Sequence, residues 1–254
     1  MQRMSTEPLL PPHGRMACTA CFPSGAVWGR TKIQSEDGWS LENNPCAWGA
    51  QNPRFLLLGF SKGERQSKDI LAKRHDAIPY AGFRDRLTAG LRMLTLLGEG
   101  DTLDKHIRAD ERDWAFGSLV RCSLAKDGRK SGTVISSSAT ARRYEEWRDR
   151  CTDLYLSRLP PRLQIVLMLS NDASYMKGCR ERITRLHPRT REINEVAYGD
   201  GRVTWVHIVH FGGQGFNHMN SWTALADDTA GRKGRAARDA VLEALARTEV
   251  QAQD

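Results

Sequence analysis

Four of the six cysteines are spaced in a way that could bind a metal. Cys18 and Cys21 form a C-x2-C pair, and Cys122 and Cys151 lie near the middle of the chain. Two thiolates on one tight turn can face a single centre. Two more from elsewhere complete a set of four that suits zinc or an iron–sulfur cluster. The alternative to a metal site is that these cysteines are free thiols in the hydrophobic core. Cys151 supports this alternative, because it lies on an apolar helical stripe with Trp147.

The basic excess is the second chemical signal. The formal net charge is +8, and arginines cluster within residues 180–191 and 232–238. Such an excess attracts polyanions, nucleic acid first, and the arginine fork can bind phosphate bidentately. The alternative for each cluster is a solvated helix face. No apolar run reaches the length of a membrane span and the first residues lack a signal-peptide pattern, so we expect a cytoplasmic protein with reduced thiols.

The elements that must position these residues alternate along the chain. Short apolar runs predict strands at residues 54–60, 114–124, 163–170 and 202–211. Apolar residues at helical spacing predict helices at residues 83–97, 140–159, 173–186 and 231–247. This order predicts an α/β fold, a three-layer α/β/α sandwich with a central four-stranded, mainly parallel sheet. We expect one domain over residues 17–247, with a flexible lead-in at 1–16 and a tail at 248–254.

Polar residues follow the ends of these strands. In parallel sheets ligands bind outside the carboxyl ends of the strands, which meet at one edge. The loop at residues 59–63 contributes glycine, serine and lysine, and the other strand ends contribute Asn171, Asp172 and His210. The pattern predicts a small-molecule or nucleotide site at this edge without specifying its ligand.

Six segments, taken in order, resemble the uracil-DNA glycosylase superfamily and are closest to its iron–sulfur families four and five. CTAC resembles the first cysteine pair, and NPRFLLLGFSKG resembles an apolar strand that runs into G-x-x-P-G. IPYAGF resembles P-F-x-G, and FGSLVRCSL resembles T-N-V-V-K-C-R-P. RCTDLYLSRLPPRLQIVLMLS resembles the fourth cysteine with its helix and the next strand. VTWVHIVHFGG resembles the last strand, which runs into H-P-S. The resemblance covers roughly residues 17–246.

The resemblance implies a monofunctional DNA glycosylase that flips uracil or a related deaminated base and hydrolyses its N-glycosidic bond. It implies a [4Fe–4S] cluster, in preference to zinc, on Cys18, Cys21, Cys122 and Cys151. Tyr80 would stack on the base, and His210 would stabilise the departing base anion. Asp172, which matches no family position, is a candidate to orient water. Further candidates for base contact are Phe60, Ser61, Ser118 and Asn171, and those for DNA contact are Lys62, Gln214, Asn217, Arg232 and Lys233.

Departures from the family pattern leave a second hypothesis open. Phe60 stands where family four has an acidic residue, Lys62 replaces the proline of the first motif, and Ser118 stands where an asparagine reads uracil. Only His210 remains of H-P-S. The chain would then be a non-catalytic relative that keeps the fold and the cluster and binds nucleic acid or a nucleotide. A third hypothesis is a zinc-bearing α/β protein unrelated to DNA. We expect a monomer whose partner is single- or double-stranded DNA.

Overall fold

The computed structural model describes residues 9–62, 64–126, 129–130, 142–212 and 216–251. The strands are β1 Gly14–Arg15, β2 Lys32–Gln34, β3 Trp39–Glu42, β4 Cys46–Gly49, β5 Phe55–Gly59, β6 Trp114–Ser118, β7 Ser123–Lys126, β8 Arg129–Lys130, β9 Ile165–Leu169, β10 Arg191–Asn194, β11 Ala197–Gly199 and β12 Thr204–Ile208. The α-helices are α1 Glu64–Ala72, α2 Arg84–Met93, α3 Arg142–Leu156, α4 Ala173–Leu186, α5 Phe216–Thr223 and α6 Thr229–Gln251. No helix in these ranges is long and apolar enough to cross a membrane.

The main sheet has the order β1-β4-β6-β5-β9-β12-β11-β10. Its four central strands are mutually parallel and are the four that the apolar runs predict. The mixed α/β class is thereby confirmed. The expected four-stranded sheet is wrong, because antiparallel strands extend it to eight at both edges. These added strands are two to four residues long, and β10 has no buried residue, so they carry no apolar run.

A break in one predicted strand creates a second sheet, with the order β2-β3-β7-β8. The expected strand at residues 114–124 ends at Ser118, and the chain turns before β7 begins at Ser123. The turn carries Cys122. Pairing between β5 and the chain after β6 nevertheless continues, through hydrogen bonds from Leu119 and Val120 to the carbonyls of residues 59 and 60. The turn therefore lies directly beside the loop that follows β5.

Residues at the end of the expected lead-in belong to the fold. β1 pairs with β4, and the backbone of Leu10, which is buried, donates a hydrogen bond to the carbonyl of Gln51. Residues 1–8 lie outside the described residues. The N-terminal segment is thus attached to the main sheet immediately before it reaches Cys18 and Cys21.

Two hydrophobic cores lie on the two faces of the main sheet. Side chains alternate along β5, so that Leu57 joins one core while Leu56 and Leu58 join the other. The first core contains buried residues of α2, α5 and α6, and the second contains buried residues of α3 and α4. Strands covered on both faces read as continuous apolar runs, which explains why these four could be predicted.

One close contact fixes the loop after β12. The ring of Phe211 is fully buried and lies edge-to-face against Trp222 at 5.7 Å between centroids. A Cβ atom at Gly90 of α2 would stand only 2.1 Å from Cζ of Phe211. The ring therefore occupies the space that any larger residue at Gly90 would need. This contact holds His210, the preceding residue, against α2.

Candidate functional site

The four predicted cysteine ligands come together. Cys18, Cys21, Cys122 and Cys151 all line one cavity, whose wall is completed mainly by apolar side chains. The first two come from the loop after β1, the third from the turn between β6 and β7, and the fourth from α3. Cys46 and Cys179, the spare thiols, do not line it. The cavity therefore joins three segments that are distant in sequence.

Backbone and side-chain donors point at these sulfur atoms. The backbone N–H of Arg121 donates to Sγ of Cys151 at 3.3 Å, and the backbone of Asn44 lies close enough to Cys122 to favour its thiolate. Arg150 donates to Cys21 and, at 2.8 Å, to the carbonyl of Ala20. Donors of this kind stabilise a thiolate and orient it toward a metal.

As free thiols, Cys21, Cys122 and Cys151 resist ionisation. Burial, followed by the charge of Cys151, raises the pKa of Cys21 to about 11, and burial raises the pKa of Cys122 to about 12. The thiolate is the form that binds metal, so a cation must enter for all four to ionise together. In the described part of the chain, no three His, Cys, Asp or Glu side chains already converge on a single point as a metal site. The four thiols are instead distributed around the wall of the cavity.

Two buried cations lie beside the thiols. Lys62 is 2% exposed, and among the described residues its Nζ has no hydrogen-bond partner. Burial lowers the pKa of Lys62, the thiols of Cys46, Cys122 and Cys151 oppose this shift, and a bridge to Ser123 holds its backbone. Arg121 is also 2% exposed and interacts with Cys151. The prediction that Lys62 contacts DNA is corrected by this placement, because its head group is buried beside the cavity.

A second group of side chains lies at the carboxyl edge of the parallel strands. The rings of Tyr80 and Phe83 meet edge-to-face at 5.8 Å, and those of Phe83 and His210 lie tilted at 5.4 Å. A Cβ at Gly212 would stand 2.9 Å from Phe83, so the loop after β12 packs closely on this ring. Phe83 thus links the two residues that the resemblance singled out. Sequence reasoning missed it, although it follows Tyr80 in the same motif-like segment.

Tyr80 is held in an unusual conformation. Its φ of 57° lies in the left-handed region, which an aromatic residue rarely adopts, and such strain concentrates at functional sites. The ring is 5% exposed, and its hydroxyl donates to the carbonyl of Leu57 at 3.2 Å. Burial holds the pKa of Tyr80 far above its ordinary value, so the hydroxyl stays neutral. Tyr80 can therefore contribute a ring edge in a fixed orientation, but it cannot act as a general acid.

His210 is a neutral imidazole at this edge. Burial lowers its pKa, although a hydrogen bond to the carbonyl of Gly212 opposes the shift. Nδ1 lies 2.6 Å from that carbonyl oxygen and 3.1 Å from the backbone nitrogen of Gly212. Within the described residues Nε2 has no hydrogen-bond partner. The ring is therefore oriented through Nδ1, which leaves Nε2 for a ligand.

The remaining predicted base contacts have other partners. Phe60 is buried in the core that contains α3 and α4, edge-to-face with Tyr175 at 6.2 Å. The hydroxyl of Ser118 donates to the carbonyl of Val120 at 2.7 Å. Ser61 is partly exposed after β5, as is Asn171 after β9. Of these residues, Ser61 and Asn171 retain the exposure that a base contact needs.

Of the predicted DNA contacts, Arg232 and Lys233 lie at the start of α6, and Lys233 is next to Asn171. Lys233 donates to the backbone carbonyl of Asn171 at 2.8 Å, and Arg232 pairs with Glu195 at 3.1 Å. Asn217 is exposed in the first turn of α5, where a loop was expected. Gln214 lies outside the described residues.

Asp172 caps helix α4. Its carboxylate accepts hydrogen bonds from the backbone N–H groups of Ser174 and Tyr175 and from the Ser174 hydroxyl, which lower its pKa. We expect Asp172→Ala to reduce the free energy of unfolding by about 1 kcal/mol, since the cap is lost. Asp172→Asn keeps a capping oxygen and should retain nearly full stability, as chemical denaturation would measure. Equal losses in both variants would contradict the capping role.

His207 is a buried histidine that the sequence did not distinguish from His210. Its Nδ1 donates to the carbonyl of Ser170 at 2.9 Å, and its Nε2 lies 3.2 Å from the hydroxyl of Tyr198. Burial lowers its pKa to about 4. Because the unfolded chain binds a proton below about 6.5 and the folded chain does not, protonation favours unfolding in this window.

We expect stability to fall as the pH decreases from about 6.5 to 4, with His207 contributing about 3 kcal/mol of the loss. Denaturation at a series of pH values should show this slope in the wild type. His207→Gln should flatten it, whereas His218→Gln, which changes an exposed histidine, should not. A wild-type slope preserved in His207→Gln would contradict the assignment.

Comparison of the chain with known proteins finds no family model that matches it and no matching curated protein. The functional argument therefore rests on the residues and their geometry.

Proposed function

We propose that the chain is a DNA glycosylase of the uracil-DNA glycosylase type, built as a three-layer α/β/α sandwich. It would flip a deaminated base such as uracil and hydrolyse its N-glycosidic bond. One observation carries the proposal: the end of β6 leads into the four-thiol cavity, and Tyr80, Phe83 and His210 lie together at the carboxyl edge of the parallel strands. The cysteines and the base-pocket residues that the resemblance implies thus lie at the same edge of the main sheet.

The aromatic group supplies the base pocket. Phe83, which is partly exposed, presents ring surface to an extruded base, and the buried ring of Tyr80 supports Phe83 edge-to-face. New stacking contacts of this kind must offset the unstacking of the base from DNA. The chemistry requires the neutral His210 tautomer in which Nδ1 accepts the backbone N–H of Gly212 and Nε2 carries the proton, rather than the one in which Nδ1 donates to the Gly212 carbonyl. The Nε2 proton donates to the oxygen on which negative charge develops as the base departs. Lys233 and Arg232 add positive charge for the phosphates.

The four cysteines fit a tetrathiolate centre, because they line one cavity, and Nζ of Lys62 and Nη2 of Arg121 have no hydrogen-bond partner among the described residues. Cys18, Cys21, Cys122 and Cys151 would hold a [4Fe–4S] cluster, in preference to zinc. When bound, this group supplies a cross-link between the N-terminal segment, the β6–β7 turn and α3. Tyr80 belongs to the core on one face of the main sheet and Cys122 to the core on the other, so we assign the centre a structural role.

A second candidate function is a non-catalytic nucleic-acid-binding relative. Three observations favour it: Phe60 is a core residue, the Ser118 hydroxyl is bonded to the backbone, and the Asp172 carboxylate caps a helix. None of these three then positions a water molecule. The two functions share the fold, the centre and the basic surface, and they differ in the chemistry at His210.

A cleavage assay separates the two. Purified protein is incubated with labelled oligonucleotides that carry uracil, hypoxanthine or xanthine, in single- and double-stranded form, and abasic sites are then broken with alkali. Cleavage of at least one deaminated substrate, with none of the undamaged control, supports the glycosylase. Salt-dependent binding in a gel shift without any cleavage would replace it by the binding protein.

A further inference from the structure

Lys62 and Arg121 are buried basic side chains, and an isolated charge at either position would be unfavourable. Placing an unpaired ammonium or guanidinium in a protein interior costs several kcal/mol, so buried cations are normally paired. Nζ of Lys62 and Nη2 of Arg121 nevertheless have no hydrogen-bond partner among the described residues. The ionisable groups with which Lys62 interacts are Arg121 and the thiols of Cys46, Cys122 and Cys151.

Local structure forces both cations into this position. The pairing of β5 continues past its end as a bridge from Lys62 to Ser123, which sets the lysine beside Cys122. The Arg121 guanidinium lies over the Tyr155 ring at 5.7 Å, and a Cβ at Gly117 would stand 1.9 Å from its Nη1. Only a glycine at 117 leaves room for this side chain. The backbone is thus shaped to accommodate a buried cation.

The charge of a loaded centre matches this pair. Four thiolates around a divalent zinc ion or an oxidised [4Fe–4S] core carry a net charge of about −2. Beside such a centre, protonated Lys62 and Arg121 would together supply two positive charges. Both lie on the side of the cavity formed by Cys122 and Cys151, whereas the other side, at Cys21, has Arg150 at the surface. An anionic centre would provide the partner that the two cations lack.

We propose that Lys62 and Arg121 are the counter-ions of the four-cysteine centre and hold it against loss of metal. The proposal deepens the proposed function, because it rests on the presence of that centre. It assigns Lys62 a role that differs from DNA contact. It also predicts opposite effects of one substitution on the two states of the protein: neutralising a counter-ion weakens metal retention but removes an unpaired buried charge from the metal-free chain.

The experiment uses Lys62→Met, which keeps length and apolar volume without charge, and Lys177→Met, which neutralises an exposed lysine of α4 as the control. Iron and zinc content of the full chain is measured first, and release to a chelator is then followed by absorbance. We expect release from Lys62→Met to be about tenfold faster than from the wild type or the control. The thermal midpoint of its metal-free form should equal or exceed that of the metal-free wild type.

Arg121 provides an independent test. Arg121→Met should accelerate release as Lys62→Met does, whereas Arg121→Lys keeps the charge and should release metal at close to the wild-type rate. Unchanged release in both methionine variants would overturn the proposal. An equal loss of stability in the loaded and metal-free forms would also overturn the proposal, because that result would mean that the two side chains contribute only packing. A wild type without iron or zinc would instead remove the centre itself, which is a failure of the proposed function.

Discussion

Replacing Cys18 by alanine is expected to abolish iron binding and to lower the thermal midpoint of the whole domain by about 10 °C or more. Structural metal sites contribute on the order of 10 kcal/mol, and in a domain of this size 1 kcal/mol corresponds to about 2–4 °C. Cys18 is only partly buried, so the lost side chain itself costs little packing energy. A large effect must then come from the centre that holds three segments together.

Cys179→Ala is the matched control. Cys179 is 5% exposed in α4 and does not line the cavity. Its replacement should leave the iron content unchanged, although it removes more buried surface than Cys18→Ala does. The measurements are iron per chain, brown colour and the melting curve of each variant. Full iron content and an unchanged midpoint in Cys18→Ala would refute Cys18 as a ligand.

Replacing His210 by alanine is expected to reduce the rate of base excision by a factor of about 100–1000, the usual effect of removing one donor to a developing anion. The affinity for DNA should change little, because the phosphate contacts that we propose lie on other side chains such as Lys233. Single-turnover excision and a binding titration measure the two effects separately. The melting curve tests whether the loop around Gly212 remains folded.

His106→Gln serves as the control for His210→Ala. His106 bonds to Glu111, which accepts the backbone N–H of Trp114 at the amino end of β6, so it lies at the opposite edge of the sheet. Its replacement should leave the excision rate at the wild-type value. If His210→Ala weakens excision and DNA binding equally, His210 is a structural residue and the proposed chemistry fails.

The sequence predicted those elements whose signal is strong and local. The four parallel strands lie between two cores and therefore appear as apolar runs. Helix α4 has the bounds expected from its pattern, because Asp172 caps its first turn. The edge strands could not be predicted, since a pair such as Gly14–Arg15 becomes a strand only through its partner β4. Tertiary pairing, not local preference, creates these elements.

The sequence predicted the four cysteine ligands of the site but not the residues that surround them. The C-x2-C spacing and the resemblance brought together four cysteines that line one cavity. The burial of Lys62 depends on the bridge to Ser123, across a gap of sixty-one residues that no spacing rule covers. Similarly, Phe83 becomes part of the site only because the loop after β12 packs on it. Contacts of this kind depend on topology, which a pattern of single segments does not encode.

The packing of Phe211 on Gly90 makes two distant positions interdependent. Gly90→Ala alone places a methyl group where Cζ of the ring lies, so the ring must shift and draw His210 with it. A smaller residue at 211 restores the space, and the double variant should recover part of what the single one loses. In the evolution of this sequence, a larger residue at position 90 should therefore be tolerated only after, or together with, a smaller residue at position 211.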